Sequence, residues 1–224
     1  MSGVVASLTN GPVAVLPSHL HFDHTGGIET FDEVLLIDLP FTRSLADESG
    51  LTTLPIEVDL HDFDNLPELS FTVDRYVAPD EIIDLGGLEV QVLWTGGHTR
   101  DEIALWVPES NVLLSGDFVY PGVNFVGNAE DVVGSLERLL EITHENTRIF
   151  GAHQDGTSTD LPELTRQDLT DMRDAFMAVR EGTAETTPVE PNDWLTSALY
   201  VAINERMYAW MDIIFRNGVA LNYE

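Results

Sequence analysis

The densest chemistry in the chain lies in six residues, His19-Leu-His21-Phe-Asp23-His24. The chain has seven histidines, and three of them fall in this hexapeptide. On an extended segment, side chains two apart point the same way, so His19 and His21 can converge on one cation. The turn that follows brings Asp23 and His24 toward a second. A solvated histidine cluster is the plain alternative, and four ligand-type side chains in so short a run argue against it. There is no cysteine, so thiolate sites and disulfides are excluded and any metal must be held by imidazole and carboxylate. Those donors suit zinc first, with iron or manganese as alternatives.

Three further candidates stand at comparable places. His98 follows an apolar run, Leu88–Trp94, and the small loop Thr95-Gly-Gly97. Asp117 follows Val112–Leu114 and Ser115-Gly116, and His153 follows Arg148–Phe150 and Gly151-Ala152. His19 itself follows the run Pro12–Leu16. Each lies just past the carboxyl end of a predicted strand, the edge at which sites assemble in α/β sheets. Taken alone, His98 reads as a loop histidine bonded to backbone, Asp117 as a turn cap and His153 as a surface residue. Their shared placement makes them metal ligands together with the hexapeptide. His61 and His144 sit among acidic residues away from strand ends and are expected to be solvated.

The elements that must position these residues follow from periodicity. Besides the runs above, Val34–Leu39 and Ile103–Val107 read as strands, and Asp84-Leu-Gly-Gly87 as the turn entering the Leu88 strand. Helices are expected over Phe41–Glu48, over Ala129–Ile142 with Asn128 as N-cap, and over Asp160–Glu181 with Pro162 in the first turn and Gly182 at its end. Val4–Asn10 reads as a helical remnant. Thr183–Pro191 reads as a linker, and Trp194–Phe215 as a helix or as a helix followed by a strand over Met211–Phe215. Strands alternating with helices predict an α/β layered fold. The expected organisation is a catalytic domain over 1–182, with 183–224 a linker and extension packed on it.

The charge is −29, from 39 acidic residues against ten arginines and no lysine. Such a field repels nucleic acid and anionic membranes, so neither is an expected partner. Regular apolar segments argue against disorder. Adaptation to molar salt explains the composition better, because screening there shortens the Debye length to roughly 3 Å. No apolar run is long enough to span a bilayer, and the first ten residues lack the pattern of a secretory signal, so the expected compartment is the cytoplasm.

These motifs resemble the metallo-β-lactamase superfamily, in its order, from Pro12 to His153. His19-x-His21-x-Asp23-His24 matches its leading motif and Thr95-Gly-Gly-His98-Thr its second, with glycine where proline is common. Ser115-Gly-Asp117 matches its bridging aspartate and Gly151-Ala-His153 its last histidine. The resemblance implies an αββα sandwich and two metal ions. His19, His21 and His98 would hold the first, Asp23, His24 and His153 the second, and Asp117 would bridge them. An aspartate bridge, and Gly97-His-Thr-x-Asp101-Glu-Ile, resemble the glyoxalase II-like branch; antibiotic-hydrolysing members lack the bridge.

Two ions roughly 3.5–4 Å apart share a water whose pKa falls to about 7. The implied activity is therefore hydrolysis of a small-molecule ester, thioester or lactone by a metal-bridged hydroxide, with Asp23 orienting it and carrying a proton. Tyr120 and Arg100 are candidate substrate contacts. The alternatives are a nuclease or phosphodiesterase of the same superfamily, or an inactive metal-binding protein. The last arises because only eighteen residues precede His19, where relatives usually carry early strands. An incomplete first sheet, natural or from a misplaced start, is expected to expose an edge strand.

Overall fold

The computed structural model describes residues 2–61, 65–154, 161–183, 186–188, 200–208 and 211–216. They divide into two compact units, Met1–Glu81 and Ile82–Glu224.

The first unit opens with α1 (Ser2–Leu8), which overlaps the helical remnant expected over Val4–Asn10 but starts two residues earlier, and β1 (Ala14–Val15). A one-turn helix α2 (Phe22–Thr25) follows, then β2 (Glu33–Ile37) and α3 (Pro40–Ser44). β3 (Leu51–Thr53), α4 (Ile56–Asp59), β4 (Ser70–Thr72) and β5 (Arg75–Val77) complete it. β1, β2 and β5 form a three-stranded parallel sheet with β2 in the middle. Four consecutive apolar residues of β2, Val34 to Ile37, are buried, as a central parallel strand requires. β3 and β4 form a separate antiparallel pair. Leu20, Ile28, Val34, Leu36, Leu54 and Phe71 make this unit's core. Leu20 lies inside the hexapeptide, so the core anchors the segment that carries His19 and His21.

The second unit is built on six strands in the order β12-β11-β9-β8-β7-β6. β6 (Ile82–Asp84), β7 (Glu89–Trp94), β8 (Ile103–Val107) and β9 (Val112–Gly116) form an antiparallel meander. The β6–β7 turn falls where expected, with the Asp84 carboxylate accepting the N–H groups of Gly86 and Gly87 at 2.9 and 2.7 Å. β10 (Gly122–Val126) and α5 (Ala129–Ile142) lead to β11 (Arg148–Gly151), which runs parallel to β9 as a helical crossover demands. β12 (Glu163–Leu164) and α6 (Arg166–Glu181) follow. One face of α5 buries Val132, Val133, Leu136, Leu139 and Leu140 in a core shared with Leu93, Leu113 and Ile149 of the sheet and Leu169, Met172 and Phe176 of α6. Each such side chain contributes about 1.5–3 kcal/mol by burial.

Three expectations need correction. α6 begins at Arg166 rather than Asp160, because Glu163 and Leu164 pair with β11 and because Thr165 and Asp168 form a capping box. Residue 160 itself lies outside the described residues. The expected linker contains a strand, β13 (Thr186–Pro188). Where a helix was expected, β14 (Tyr200–Tyr208) is a strand, antiparallel to β13 and to β15 (Met211–Arg216). β15 agrees with the strand expected over Met211–Phe215. The cause is tertiary: β15 pairs in parallel with β10, giving these segments ladder partners that no local pattern announces. Residues 194–199 lie outside the described residues.

Candidate metal centre

In the first unit the hexapeptide folds as its spacing suggests. His21 is extended, with ψ 152, and caps α2, whose first turn presents Asp23 and His24. His19 Nε2 lies 2.8 Å from His21 Nδ1. His24 Nε2 lies 3.6 Å from a carboxylate oxygen of Asp23. The segment therefore offers two donor pairs, one from each side of the turn. Between them stands Ser18, whose hydroxyl is 2.9 Å from His24 Nδ1 and 3.2 Å from His19 Nδ1. Occupied on their Nδ1 sides, both rings direct Nε2 toward the paired donors. Sequence reasoning passed over Ser18; its one signal was a hydroxyl directly ahead of the first histidine.

In the second unit three strand-end loops meet. His98 follows β7, Asp117 follows β9 and His153 follows β11. His98 Nδ1 donates to the Phe125 carbonyl at 2.7 Å, which leaves Nε2 as the metal-type donor. The backbone-bonded loop histidine and the ligand are thus compatible readings of one ring. One carboxylate oxygen of Asp117, Oδ2, lies 3.7 Å from His98 Nε2 and 3.2 Å from His153 Nε2. A single oxygen thus lies within reach of two imidazole nitrogens. The Asp117 and His98 side chains are buried, whereas the His153 side chain is 41% exposed, so solvent reaches this group at His153.

Glycine makes the loops possible. At Gly97 φ is 147°, and a Cβ would fall 2.3 Å from Val132 Cγ2 of α5. At Gly151 a Cβ would fall 2.4 Å from Tyr120 Cβ.

Behind Asp117 sits Glu102, fully buried, whose Oε1 accepts the Asp117 N–H at 3.0 Å. Burial pushes its carboxyl well above the ordinary range, the charges of Asp117 and Asp101 push it further, and the Asp117 and Phe118 N–H groups pull it back. Tyr120 is buried, with its ring edge-on to His153 at 5.3 Å between centroids. Arg100 is half-buried, and its carbonyl accepts the Trp94 indole N–H at 2.8 Å.

His144 is exposed, as expected. His61 is not solvated: its side chain is 14% exposed, with Nδ1 2.5 Å from the carboxylate of buried Asp59. The cause is Leu60, whose left-handed backbone (φ 57) ends α4 and folds His61 back onto Asp59. Among the described residues, neither histidine belongs to a group able to hold an ion.

The donors fit a transition metal. Ligands about 2.0–2.1 Å from a tetrahedral zinc stand roughly 3.3 Å from one another. The four donor–donor distances within the two units, 2.8, 3.6, 3.7 and 3.2 Å, scatter about that value.

Strand-end histidines and carboxylates on α/β sheets define the class of metal-site α/β proteins. A family model described as the metallo-beta-lactamase superfamily matches residues 10–186, and the chain belongs to that superfamily. It is 26% identical to a probable metallo-hydrolase, YqgX of Bacillus subtilis, over 70% of this chain and 74% of that protein. It is 30% identical to the acyl-coenzyme A thioesterase MBLAC2 of Gallus gallus, over 58% of this chain and 52% of that protein. It is also 30% identical to a hydroxyacylglutathione hydrolase of Synechococcus sp. (strain JA-2-3B'a(2-13)), over 63% and 49%. The chain thus spans about half the length of the latter two relatives. The fold matches ETHE1 from Myxococcus xanthus with TM-score 0.54 and 20% identity, over 87% of this chain and 77% of that one. It also matches TTHA1623 in a di-iron-bound form with TM-score 0.50 and 26% identity, over 74% and 80%. The α/β class expected from the sequence is borne out.

Proposed function

We propose that the protein is a dinuclear metal hydrolase that cleaves a small-molecule thioester, ester or lactone. The observation that carries this reading is Asp117 Oδ2, within 3.7 Å of both His98 Nε2 and His153 Nε2. The two donor pairs of the hexapeptide support it independently. In this reading His19, His21 and His98 would hold one ion and Asp23, His24 and His153 the other, with Asp117 a ligand shared by both. Zinc, or iron or manganese, would supply there an acidified water and polarisation of a scissile carbonyl. Asp23, exposed at the start of α2, would orient a water and accept its proton. Ser18 fixes the rings of His19 and His24. Tyr120 and Arg100 would contact the substrate, Tyr120 from beside His153.

Thioesters head the substrate list because two relatives are named for thioester hydrolysis. The surface charge of −29 disfavours the nuclease reading. In the same proposal residues 1–182 carry the catalysis and 183–224 pack onto them; the β10–β15 pairing supports the second half of that statement. The acidic composition supports the reading of a protein that works in a high-salt cytoplasm.

Metal analysis in high salt, followed by a panel of thioesters, lactones and phosphodiesters, tests the reading. Close to two equivalents of metal and turnover of a thioester or ester are expected. Less than half an equivalent after reconstitution overturns it.

A further inference from the structure

Glu102 is a fully buried acid that the proposed chemistry does not use. It stands one residue before β8, at the end of the loop that carries His98. Its carbonyl accepts the Thr95 N–H at 2.8 Å and closes that loop. Its carboxylate crosses to the next loop, where Oε1 accepts the Asp117 N–H at 3.0 Å, while the Phe118 N–H of the same turn donates to the Ser115 carbonyl at 3.0 Å. A buried carboxylate is costly unless hydrogen-bonded, and Glu102 receives such a bond from the turn that presents Asp117. Gly116 precedes that turn with φ 56°, so the chain reverses sharply there and the Asp117 N–H finds its acceptor outside the turn. Ser115 supplies others from the far side, its hydroxyl lying 2.8 Å from the Val119 carbonyl and 3.1 Å from that of Phe150.

We propose that Glu102 is the positioning residue of Asp117. By accepting the Asp117 N–H it fixes the peptide plane on the amino side of the Asp117 Cα, and the Phe118 N–H, bonded to the Ser115 carbonyl, holds the plane on the other side. An aspartate has only two side-chain torsions, so those planes decide where its carboxylate reaches. Glu102 thereby sets Oδ2 between His98 and His153, and its backbone bond to Thr95 ties the two loops to one residue. The role rests on the metal-centre reading above. It needs an acceptor of the right length, not a charge. Glutamine meets that need. Aspartate does not: it is shorter by one C–C bond, roughly 1.5 Å, which takes a 3.0 Å contact out of hydrogen-bond range.

The test compares E102Q, E102D and E102A with wild type. Zinc affinity is read by competition with a chromophoric chelator, and melting temperature is read on metal-free protein. E102Q is expected within about threefold of wild type in zinc affinity, and E102D and E102A roughly 10–100-fold weaker. On an ester or thioester that wild type hydrolyses, the same two variants lose kcat with KM little changed. Thr42→Val is the stability control: it cuts the buried hydroxyl bond to the Ile37 carbonyl in the first unit and is expected to lower the melting temperature alone. Should E102A not fold, the E102Q–E102D comparison decides. Wild-type zinc affinity in E102A, or an E102D that binds like wild type beside a weakened E102Q, overturns the positioning role. Wild-type protein that binds no zinc overturns the metal-centre reading and this role with it.

Discussion

Asp117 is the residue on which the site turns, because one of its oxygens faces two histidine nitrogens while its backbone N–H is held by a buried acid. Asp117→Ala removes that oxygen and leaves the histidines in place. Metal content is expected to fall below two equivalents. Turnover should fall by roughly a hundredfold or more, with substrate affinity less affected, because the lost group acts on the nucleophile rather than on binding. His144→Ala, at an exposed position, should leave metal content and turnover near wild type. Full activity in Asp117→Ala would sink the bridging assignment. A second prediction falls on Ser18, whose hydroxyl contacts both His19 and His24. Ser18→Ala keeps every proposed ligand but frees two imidazole rings to rotate. A loss of about 10–100-fold in metal affinity is expected, as for other residues that orient ligands from behind. Unchanged affinity, measured by chelator competition, would show that packing alone holds the rings. The candidate ligands were legible because histidine is scarce here and the strand-end candidates each stood after an apolar run. Ser18 and Glu102 were not, since a serine and a glutamate in an acidic chain carry no pattern until the fold shows what they touch.

The element that decides the His98 loop is α5. The Gly97 carbonyl accepts the N–H groups of Gly127 and Asn128 at 2.7 and 2.9 Å, so the start of the helix is stitched to the loop. Asn128 then caps α5, its side chain accepting the N–H groups of Glu130 and Asp131. Asn128→Ala is expected to cost about 1 kcal/mol, read as a melting temperature lower by roughly 2–4 °C; Asn128→Asp should keep most of it. No change on Asn128→Ala would mean that the stitching, not the cap, fixes this end. α5 and its cap were fully legible, because a fourteen-residue amphipathic stripe with an asparagine ahead of it is a long, redundant signal. β7, β8 and β9 were legible for the same reason. β3, β4 and β6, of three residues each, and β12, of two, were not, because such strands have no period to detect. The start of α6 was misplaced because pairing of Glu163 and Leu164 with β11 competes with helix and wins. β14 shows the same override on a larger scale: its strand state depends on β15, and β15 depends on β10, which is more than eighty residues away.

At the scale of the whole molecule the dominant quantity is charge. Ten arginines face 39 acids, and several are already committed to surface pairs, Arg43 with Asp38, Arg148 with Glu163 and Arg173 with Asp174. Those partners hold the Asp38 and Glu163 carboxyls below their ordinary range, through a hydrogen bond to the guanidinium in each case. A carboxyl whose folded pKa is depressed stabilises the fold above its unfolded pKa, and that contribution is lost as pH falls through the folded value. These pairs are exposed, so their worth is small and falls further with salt. They cannot offset a net charge of −29. If the acidic surface is a high-salt adaptation, as proposed, screening does so, and its range decides the outcome: the Debye length is about 10 Å at 0.1 M salt and about 3 Å at 1 M. At 0.1 M each carboxylate feels several neighbours; at 1 M it feels almost none. Metal-free protein moved from molar KCl to about 0.1 M is therefore expected to unfold or to melt far lower. Mild acidification at low salt should recover part of the loss, because protonation lowers the net negative charge while Asp38 and Glu163, held low by their arginines, stay ionised and paired. Circular dichroism across a KCl series, repeated at pH values between neutrality and the pI of about 4.2, reads both effects. A signal and melting temperature that ignore salt would show that the acidic surface is not a high-salt adaptation and that the packed cores alone carry the fold.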